Sequence, residues 1–527
     1  MPSIKDITTK KELQCESGTN LLTLLLENNV FVDNACNGKG TCGKCRIRLV
    51  EGELEISEED EAKKLTEKER KEGIHLACLS LVKGDCVIQT NVASKKMNVL
   101  TDGYIPEFEK DVCEAGYGVA IDIGTTTIAM SMISMKTGEI LSEEAGMNGQ
   151  RLYGQDVLTR ITYEIEQGQE AIDKLKEAVI TSINEGIKAM CKELGISTEE
   201  VMSITVAGNC TMTHMLLGVD ARSIGMAPYK PAFLQAQTVN AKEHGIECNK
   251  DATLYCLAQV SGFIGGDILA GAYVCDLLHS DKISLFLDIG TNGEMVVSKR
   301  GELYSCSCAA GPALEGMNIT CGMPALPGAV EKVWVEDGKL CTATIAGEKP
   351  KGICGSGILE VVDELIKQEF IKKSGVFVKK KKIEESDWRY NYLVEDEGGP
   401  ALKLSEGVLV TQKDVRQVQL AKGAILSGFL SLVKRAGITV EDIDEVIIAG
   451  QFGSHLSAQA LAGVGIIPRE VKEKVTYVGN TSKTGAYMAL LSHKVKEEME
   501  DLADKITYYE LAEIDGYEQL FMECMRF

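Results

Sequence analysis

Two kinds of hydrophobic pattern alternate along the chain. The stretch YGVAIDIGTTTIAMSMI, from Tyr117, is an apolar strand ending at Asp122. It turns at Gly124 and continues through Thr125, Thr126 and Thr127 into a second strand. ISLFLDIGTNGEMVVS repeats that design with Asp288, Gly290, Thr291 and Asn292, about 166 residues later. Continuous apolar runs bounded by glycine are the pattern of buried strands. Between and after them, apolar residues at helical spacing predict helices over 171–194, from Thr211, after CGSG (Cys354 to Gly357) and over 417–436. Further strands are predicted at SITVAGN, LYCLAQV, EVIIAGQFG and TYVGN. Near the start, residues 5–15 read as a hairpin, 20–28 as a short helix and 46–50 as a strand. After Asn91 neither period survives for about twenty residues, which predicts a linker over 93–115. An ordered strap along the next domain is the alternative there.

The 527 residues suffice for three or four domains with real cores. A net charge of −22, spread along the chain, disfavours nucleic acid and anionic membranes as partners, because both select basic surfaces. The longest lysine run, Lys379 to Lys382, reads as a solvated loop. No stretch approaches a membrane span and the start shows no apolar signal core, so the expected compartment is the cytoplasm. Eighteen cysteines there are not a disulfide framework, and most should be small buried hydrophobes.

Four cysteines stand apart. Cys36, Cys42 and Cys45 lie in NACNGKGTCGKC with C-x5-C-x2-C spacing, and Cys78 follows 32 residues later. Three ligands on one glycine-rich loop and a fourth at a distance suit an iron–sulfur cluster clamped between two parts of a small domain. Gly38, Gly40 and Gly43 let backbone N–H groups approach a negatively charged centre. Structural zinc, the competing reading, usually shows two paired C-x2-C knuckles. Cys15 and Cys86 fall on strands and read as structural.

In each D-x-G-T turn the backbone N–H groups and hydroxyls could hold phosphate oxygens. Each aspartate could hold Mg²⁺, usually through water. Two copies, each opening a run of strands, point to a duplicated fold. Glycine turns between strand and helix, such as those at Gly450, Gly453 and Gly479, are where α/β proteins place ligand contacts.

The order around the cysteines resembles the β-grasp fold of plant and vertebrate [2Fe–2S] ferredoxins. The two turns resemble the acetate and sugar kinase, heat-shock chaperone and actin superfamily, whose two ribonuclease-H-like halves close on ATP. By that resemblance the Asp122 and Asp288 turns are the phosphate loops, AGQFG contacts adenosine and GNTSKTGA flanks the nucleotide. Gln451 stands where a second glycine is usual.

The whole chain resembles the reductive activators of corrinoid proteins. The matching stretches are the cluster cysteines, GVAIDIGTTT, NGQRLYGQDVLTRI (148–161), VAGNCTMTHMLLGVD (206–220), LFLDIGTNGE, SCAAGPALEGMNI and GICGSGILEVVDEL. What this implies is an α/β multi-domain protein: a [2Fe–2S] ferredoxin domain at 1–92, a linker at 93–115, and ribonuclease-H-like halves at 116–280 and 281–527. It implies an ATP-dependent iron–sulfur reductase that passes one electron to an inactive Co(II) corrinoid, giving Co(I). Asp122 and Asp288 would be catalytic. Gly124, Thr125, Thr126, Gly290, Thr291, Asn292, Gly450, Gly453 and Gly479 would bind the cofactor, with Glu315 and Gly316 as further candidates. The cluster would sit on Cys36, Cys42, Cys45 and Cys78. Implied partners are a corrinoid protein of a methyltransferase system and an external low-potential donor, with a homodimer allowed.

Three other functions compete. They are an activator of another radical enzyme or metalloenzyme, a redox-regulated small-molecule kinase, and a non-enzymatic clamp. For Arg151, Asp156 and Arg160, helix salt bridges compete with a role at the nucleotide or partner. His214 reads as a buried or capping histidine, and Cys306 and Cys308 as core.

Overall fold

The computed structural model describes the chain except residues 1, 9–10, 29, 31, 33–39, 41–44, 66, 91–103, 112–115, 155, 397–398 and 451–455. It divides into two compact units, Met1–Met97 and Asn98–Phe527.

In the first unit β1 (Ser3–Asp6) and β2 (Lys11–Gln14) form the hairpin and α1 (Leu21–Glu27) the short helix. β3 (Arg46–Ile56), β4 (Ile74–Leu76) and β5 (Ser80–Gln89) complete a sheet of order β2-β1-β5-β3-β4. β1 and β5 run parallel, with Ile4 opposite Cys86. This mixed sheet with one helix on it is the β-grasp. Leu21 and Leu25, a helical turn apart, bury against Ile4, Ile47 and Ile88. Cys86 is inside that core, where burial pushes its thiol up to about 11, so it stays a neutral apolar filler.

The second unit is built twice. In the first half β6 (Tyr117–Ile123) pairs antiparallel with β7 (Thr127–Ser134), which carries β8 (Ile140–Met147) at the edge. Then come α2 (Val157–Gln167), α3 (Gln169–Leu194), β9 (Val201–Gly208) parallel to β6, α4 (Cys210–Leu217), β10 (Gln237–Asn240), β11 (Thr253–Cys256) and α5 (Gly266–Val274). The second half repeats the plan with β12 (Ile283–Ile289), β13 (Gly293–Lys299) and β14 (Glu302–Cys308).

An insertion separates these strands from the rest of that half, and no strand had been predicted in it. It holds β15 (Ala329–Glu336), β16 (Lys339–Thr344), β17 (Gly352–Ile353), α6 (Gly355–Lys367), β18 (Leu393–Asp396), β19 (Gly399–Ser405) and β20 (Val408–Thr411). The half closes with α7 (Gln412–Arg435), β21 (Glu445–Ala449) parallel to β12, α8 (Ala458–Val464), β22 (Val475–Gly479), α9 (Thr481–Leu491) and β23 (Ile506–Tyr508). The sheet orders are β10-β11-β9-β6-β7-β8 and β22-β21-β12-β13-β14-β23. These are two ribonuclease-H-like sheets, each with one strand added at an edge. Asp122 and Asp288 occupy equivalent strand ends, beside Ala207 of β9 and Ala449 of β21 respectively.

The halves are joined by α5 and α9. Both carry Gly-Ala-Tyr, at Gly271–Tyr273 and Gly485–Tyr487. They form one core with Ala120 and Ala207 of the first sheet and Phe286, Ile447 and Ala449 of the second. Burying the Phe286 ring alone is worth on the order of 2–3 kcal/mol. The helices cross at glycine because nothing larger fits: a Cβ on Gly485 would lie 2.4 Å from the Ala270 Cβ, and one on Gly271 2.3 Å from the Phe286 ring.

Of the predicted linker, residues 93–103 and 112–115 lie outside the described residues. Between them, residues 104–111 run extended along the second unit. Tyr104 N–H donates to the Val478 carbonyl, Asp111 N–H to that of Leu491, and Phe108 stands edge-on to Tyr487. No helix among the described residues is long and apolar enough to cross a membrane. Gly485→Val should force α5 and α9 apart and lower the melting temperature by several degrees, an overpacking cost of about 1–3 kcal/mol readable by calorimetry.

Candidate functional site

In the ferredoxin unit, pairing of Arg46 with Leu76 sets Cys45, just before β3, beside Cys78 in the turn after β4. Ala77 N–H donates to the Cys45 carbonyl, and the two buried sulfurs lie 3.2 Å apart. That is contact rather than a disulfide, whose sulfurs stand about 2.05 Å apart. Two adjacent thiols held by backbone pairing are what one tetrahedral iron requires. Cys36 and Cys42 lie outside the described residues, as do Gly38 and Gly43.

The second unit brings the two aspartate turns together around one cleft. The Asp122 loop is held from behind by the segment 148–160. The Asn148 side-chain amide donates to the Gly124 carbonyl at 3.0 Å, and Asn148 N–H to the Thr126 carbonyl at 2.9 Å. The Arg160 guanidinium donates to the Thr125 carbonyl at 2.6 Å. A trans peptide points its C=O and N–H in opposite directions. The N–H groups of Thr125 and Thr126 therefore face away from that segment, and neither has a hydrogen bond among the described residues. The Asn209 side-chain amide reaches the Thr125 hydroxyl at 3.3 Å while its oxygen caps α4. Outward N–H groups on successive residues make an anion-binding nest.

The Asp288 loop uses different partners. Gly290 N–H donates to the Asn292 carbonyl, and Gly311 N–H to that of Thr291. The Thr291 hydroxyl donates to Glu315 at 2.7 Å. Glu315 is buried, and its second carboxylate oxygen has no partner. Gly450, in the left-handed region at φ 88°, passes so close that a Cβ there would lie 2.3 Å from Asp288 Oδ1. Its N–H donates to the Gly479 carbonyl. Gly453 and Gln451 lie outside the described residues.

Asp122 is clasped by the opposite half. Asn480 and Ser482, at the start of α9, each donate to one of its carboxylate oxygens at 2.7 Å. Asn480 can do this because its amide oxygen meanwhile caps α9 through Lys483 N–H. Lys483, buried in the same helix, pairs with Glu143 of β8.

The cleft is acidic. Burial, then the charge of Asp122, pushes Asp267 up to about 7. Burial, then Asp267, Asp122 and Glu315, pushes Asp288 up to about 7. Burial raises Glu294 further still, with Asp267 and Asp288 adding to it. Desolvation and mutual repulsion both disfavour the ionised forms, and a cation between them would reverse that. Among the described residues no three of these groups converge closely enough to chelate an ion directly.

Other candidates resolve into structure. His214 is buried: its Nδ1 donates to the Cys210 carbonyl, its Nε2 accepts from Ala232 N–H, and its ring stacks on Phe233. Asp156 caps α2. Cys306 and Cys308 pack in the core, with thiols on the carbonyls of Gly428 and Gly293. Arg160 is no helix salt bridge, since every hydrogen-bond partner it has is neutral.

Family models match three consecutive stretches. They are a 2Fe-2S iron-sulfur cluster binding domain over residues 4–83, the RACo middle region over 117–280, and the C-terminal domain of RACo, the ASKHA domain, over 282–527. The corrinoid activation enzyme RamQ of Eubacterium limosum is 32% identical over 441 residues, 81% of this chain and 74% of that one. The chain belongs to the RACo family. A second relative, the [Co(II) methylated amine-specific corrinoid protein] reductase of Methanosarcina barkeri, is 26% identical over 74% of this chain and 73% of its own. A solved structure titled as a reductive activator for corrinoid, iron-sulfur protein matches with TM-score 0.70 at 30% identity, covering 100% of this chain and 98% of that one. The RACo middle region begins and ends with the first half, and the ASKHA domain is the second.

The raised carboxylates carry a sign. Groups whose folded pKa lies above the unfolded value bind protons more tightly when folded, so they cost stability as pH rises between the two values. With Asp267 and Asp288 raised from 3.8 to about 7, the melting temperature without divalent cation should fall as pH rises across that interval. Asp288→Asn should flatten that slope in a melting series run with chelator.

Proposed function

We propose that this RACo-family chain reactivates a corrinoid protein by passing one electron at a time through a [2Fe–2S] cluster to Co(II), giving Co(I), with the cleft of the second unit binding MgATP. The observation that carries the reading is the union, in one chain, of a cluster-binding ferredoxin unit with two facing aspartate loops, the first of which presents an anion nest at Thr125 and Thr126. The relatives support it through their names, one of which specifies Co(II) in a corrinoid protein.

In this reading Cys36, Cys42, Cys45 and Cys78 hold the cluster, whose chemistry is reversible one-electron transfer. The nest at Thr125 and Thr126, with the Thr291 and Asn292 turn opposite, takes phosphate oxygens. Gly450, Gly453 and Gly479 flank the nucleoside. Asp288, Asp267 and Glu315 would hold Mg²⁺ through its water shell, since hard cations take oxygen ligands and Mg²⁺ usually keeps several waters. Asp122, with both oxygens engaged by Asn480 and Ser482, senses the nucleotide by holding the halves together.

The electron balance needs an external donor of low potential, and the acceptor is a corrinoid protein of a methyltransferase system. Nucleotide can help an uphill transfer only by binding one conformation of the complex more tightly than another. Each 59 mV gained in this way is tenfold in a one-electron equilibrium. In this reading the protein works in the cytoplasm.

Anaerobic protein, a low-potential reductant and a Co(II) corrinoid protein should together yield the Co(I) absorbance. The rate should fall at least about tenfold without MgATP and to background in Cys45→Ser. Equal rates with and without MgATP would sink the ATP coupling. Reactivation by Cys45→Ser at the wild-type rate would sink the electron route.

A further inference from the structure

The two phosphate-loop candidates share a sequence design but differ in turn and in support: Gly124 N–H closes on the Thr127 carbonyl, Gly290 N–H on that of Asn292. In the Asp288 loop the Thr291 carbonyl is held by a neutral donor, Gly311 N–H. In the Asp122 loop the corresponding carbonyl, that of Thr125, is held by the guanidinium of Arg160. This side chain is fully buried. Its other donors go to the Gly154 carbonyl, the Gln150 amide oxygen and the Met212 sulfur, all neutral. Asp156, the acid one helical turn away, spends a carboxylate oxygen on the Thr159 N–H as helix cap.

Burying an arginine among neutral groups is costly, and single-partner or neutral side chains could tie down one carbonyl more cheaply. Burial holds the guanidinium down to about 10, which still leaves it charged at neutral pH. A fixed positive charge in a low-dielectric setting acts at longer range than one in water. It lies behind the peptide whose other end, Thr126 N–H, points outward without a partner. Of the cleft's carboxylates, Asp122 and Asp267 stand by the first loop, while Asp288, Glu294 and Glu315 stand about the second.

We propose that Arg160 is the positioning residue that makes the Asp122 loop the phosphate-gripping member of the pair, by turning the Thr125 carbonyl away and keeping a buried positive charge beneath the nest. The Asp288 loop, on a neutral support and among carboxylates, is the cation-facing member. This rests on the nucleotide reading above and assigns the two loops different work. The charge, beyond the hydrogen bond, is the working part.

The test uses the full chain and calorimetric titration with two ligands, MgATP and adenosine, on wild type, Arg160→Met and Arg160→Lys. Arg160→Met should weaken MgATP about tenfold or more and leave adenosine unchanged, while Arg160→Lys, which restores a cation, recovers part of the loss. Where Arg160→Met fails to fold by thermal melting, Arg160→Gln, which keeps a donor but no charge, makes the same comparison. MgATP binding at wild-type strength in the folded neutral variant would overturn the proposal. Equal loss of MgATP and adenosine would also overturn it, because that is what a merely structural arginine gives. A wild-type chain that binds neither ligand would sink the nucleotide reading itself, and is recognised before any variant is compared.

Discussion

Everything in the second unit depends on how closely α5 and α9 can cross. Each sheet ends in an aspartate turn, but a turn on one sheet faces the other only if the helices between the sheets are thin where they meet. Gly271 and Gly485 supply that thinness, and the flanking alanines and Phe286 fill the space around it. The contact also fixes the direction of α9, whose first turn reaches across to Asp122. A crossing built on small side chains slides more readily than one built on interlocked large ones. This close crossing is thus also the unit's natural pivot.

Around that pivot the duplicated halves have diverged in the turns they present as well as in charge. The Asp122 loop ties its carbonyls back and leaves the Thr125 and Thr126 N–H groups outward, whereas in the Asp288 loop Gly290 N–H closes on the Asn292 carbonyl and Thr291 is bonded to Glu315. A buried cation backs the first loop, while Asp288, Glu294 and Glu315 crowd the second. A ligand that is negative at one end and carries a metal would settle in a single orientation in such a field, before any side chain touched its base. The clasp on Asp122 adds a mechanical link, since the acid belongs to one half and its donors to the other. Opening the cleft must break two hydrogen bonds to a partly buried carboxylate, a larger loss than breaking neutral pairs.

Much of this was legible in the sequence because it rests on short-range patterning. The apolar runs ending in Asp122 and Asp288, the amphipathic helices and the cysteine spacing each report a local constraint, and the elements appear where those patterns place them. The long helix starts five residues earlier than the pattern suggested, at Gln412, because Thr411 and Asp414 form a capping box in its first turn. What stayed hidden depends on distance in sequence. GNTSKTGA reads as a segment flanking the nucleotide, and only the fold shows its Asn480 and Ser482 on Asp122, some 360 residues away. Arg160 looked like one more helical charge, because nothing in a sequence says that a residue's acidic neighbours are turned elsewhere. Within residues 309–411 the pattern predicts the helix after CGSG but not the strands, which are short, mixed and carry no clear alternation. The Gly-Ala-Tyr repeat was in plain view, but its meaning is steric and appears only when two helices are laid together.

The two sheets differ at their outer margins. β14 is covered by β23, running parallel with Leu303 opposite Ile506, whereas β8 has no further strand beside it. An eight-residue uncovered margin is a standing invitation to another extended chain, and proteins guard such margins with charge. Here Glu143 and Glu144 provide it, the first tethered to Lys483 of the other half. A nascent first half meets crowded surroundings before α9 has been made. Its guard at that stage lacks the tie to Lys483, so a helix made some 340 residues later completes the protection of the first half.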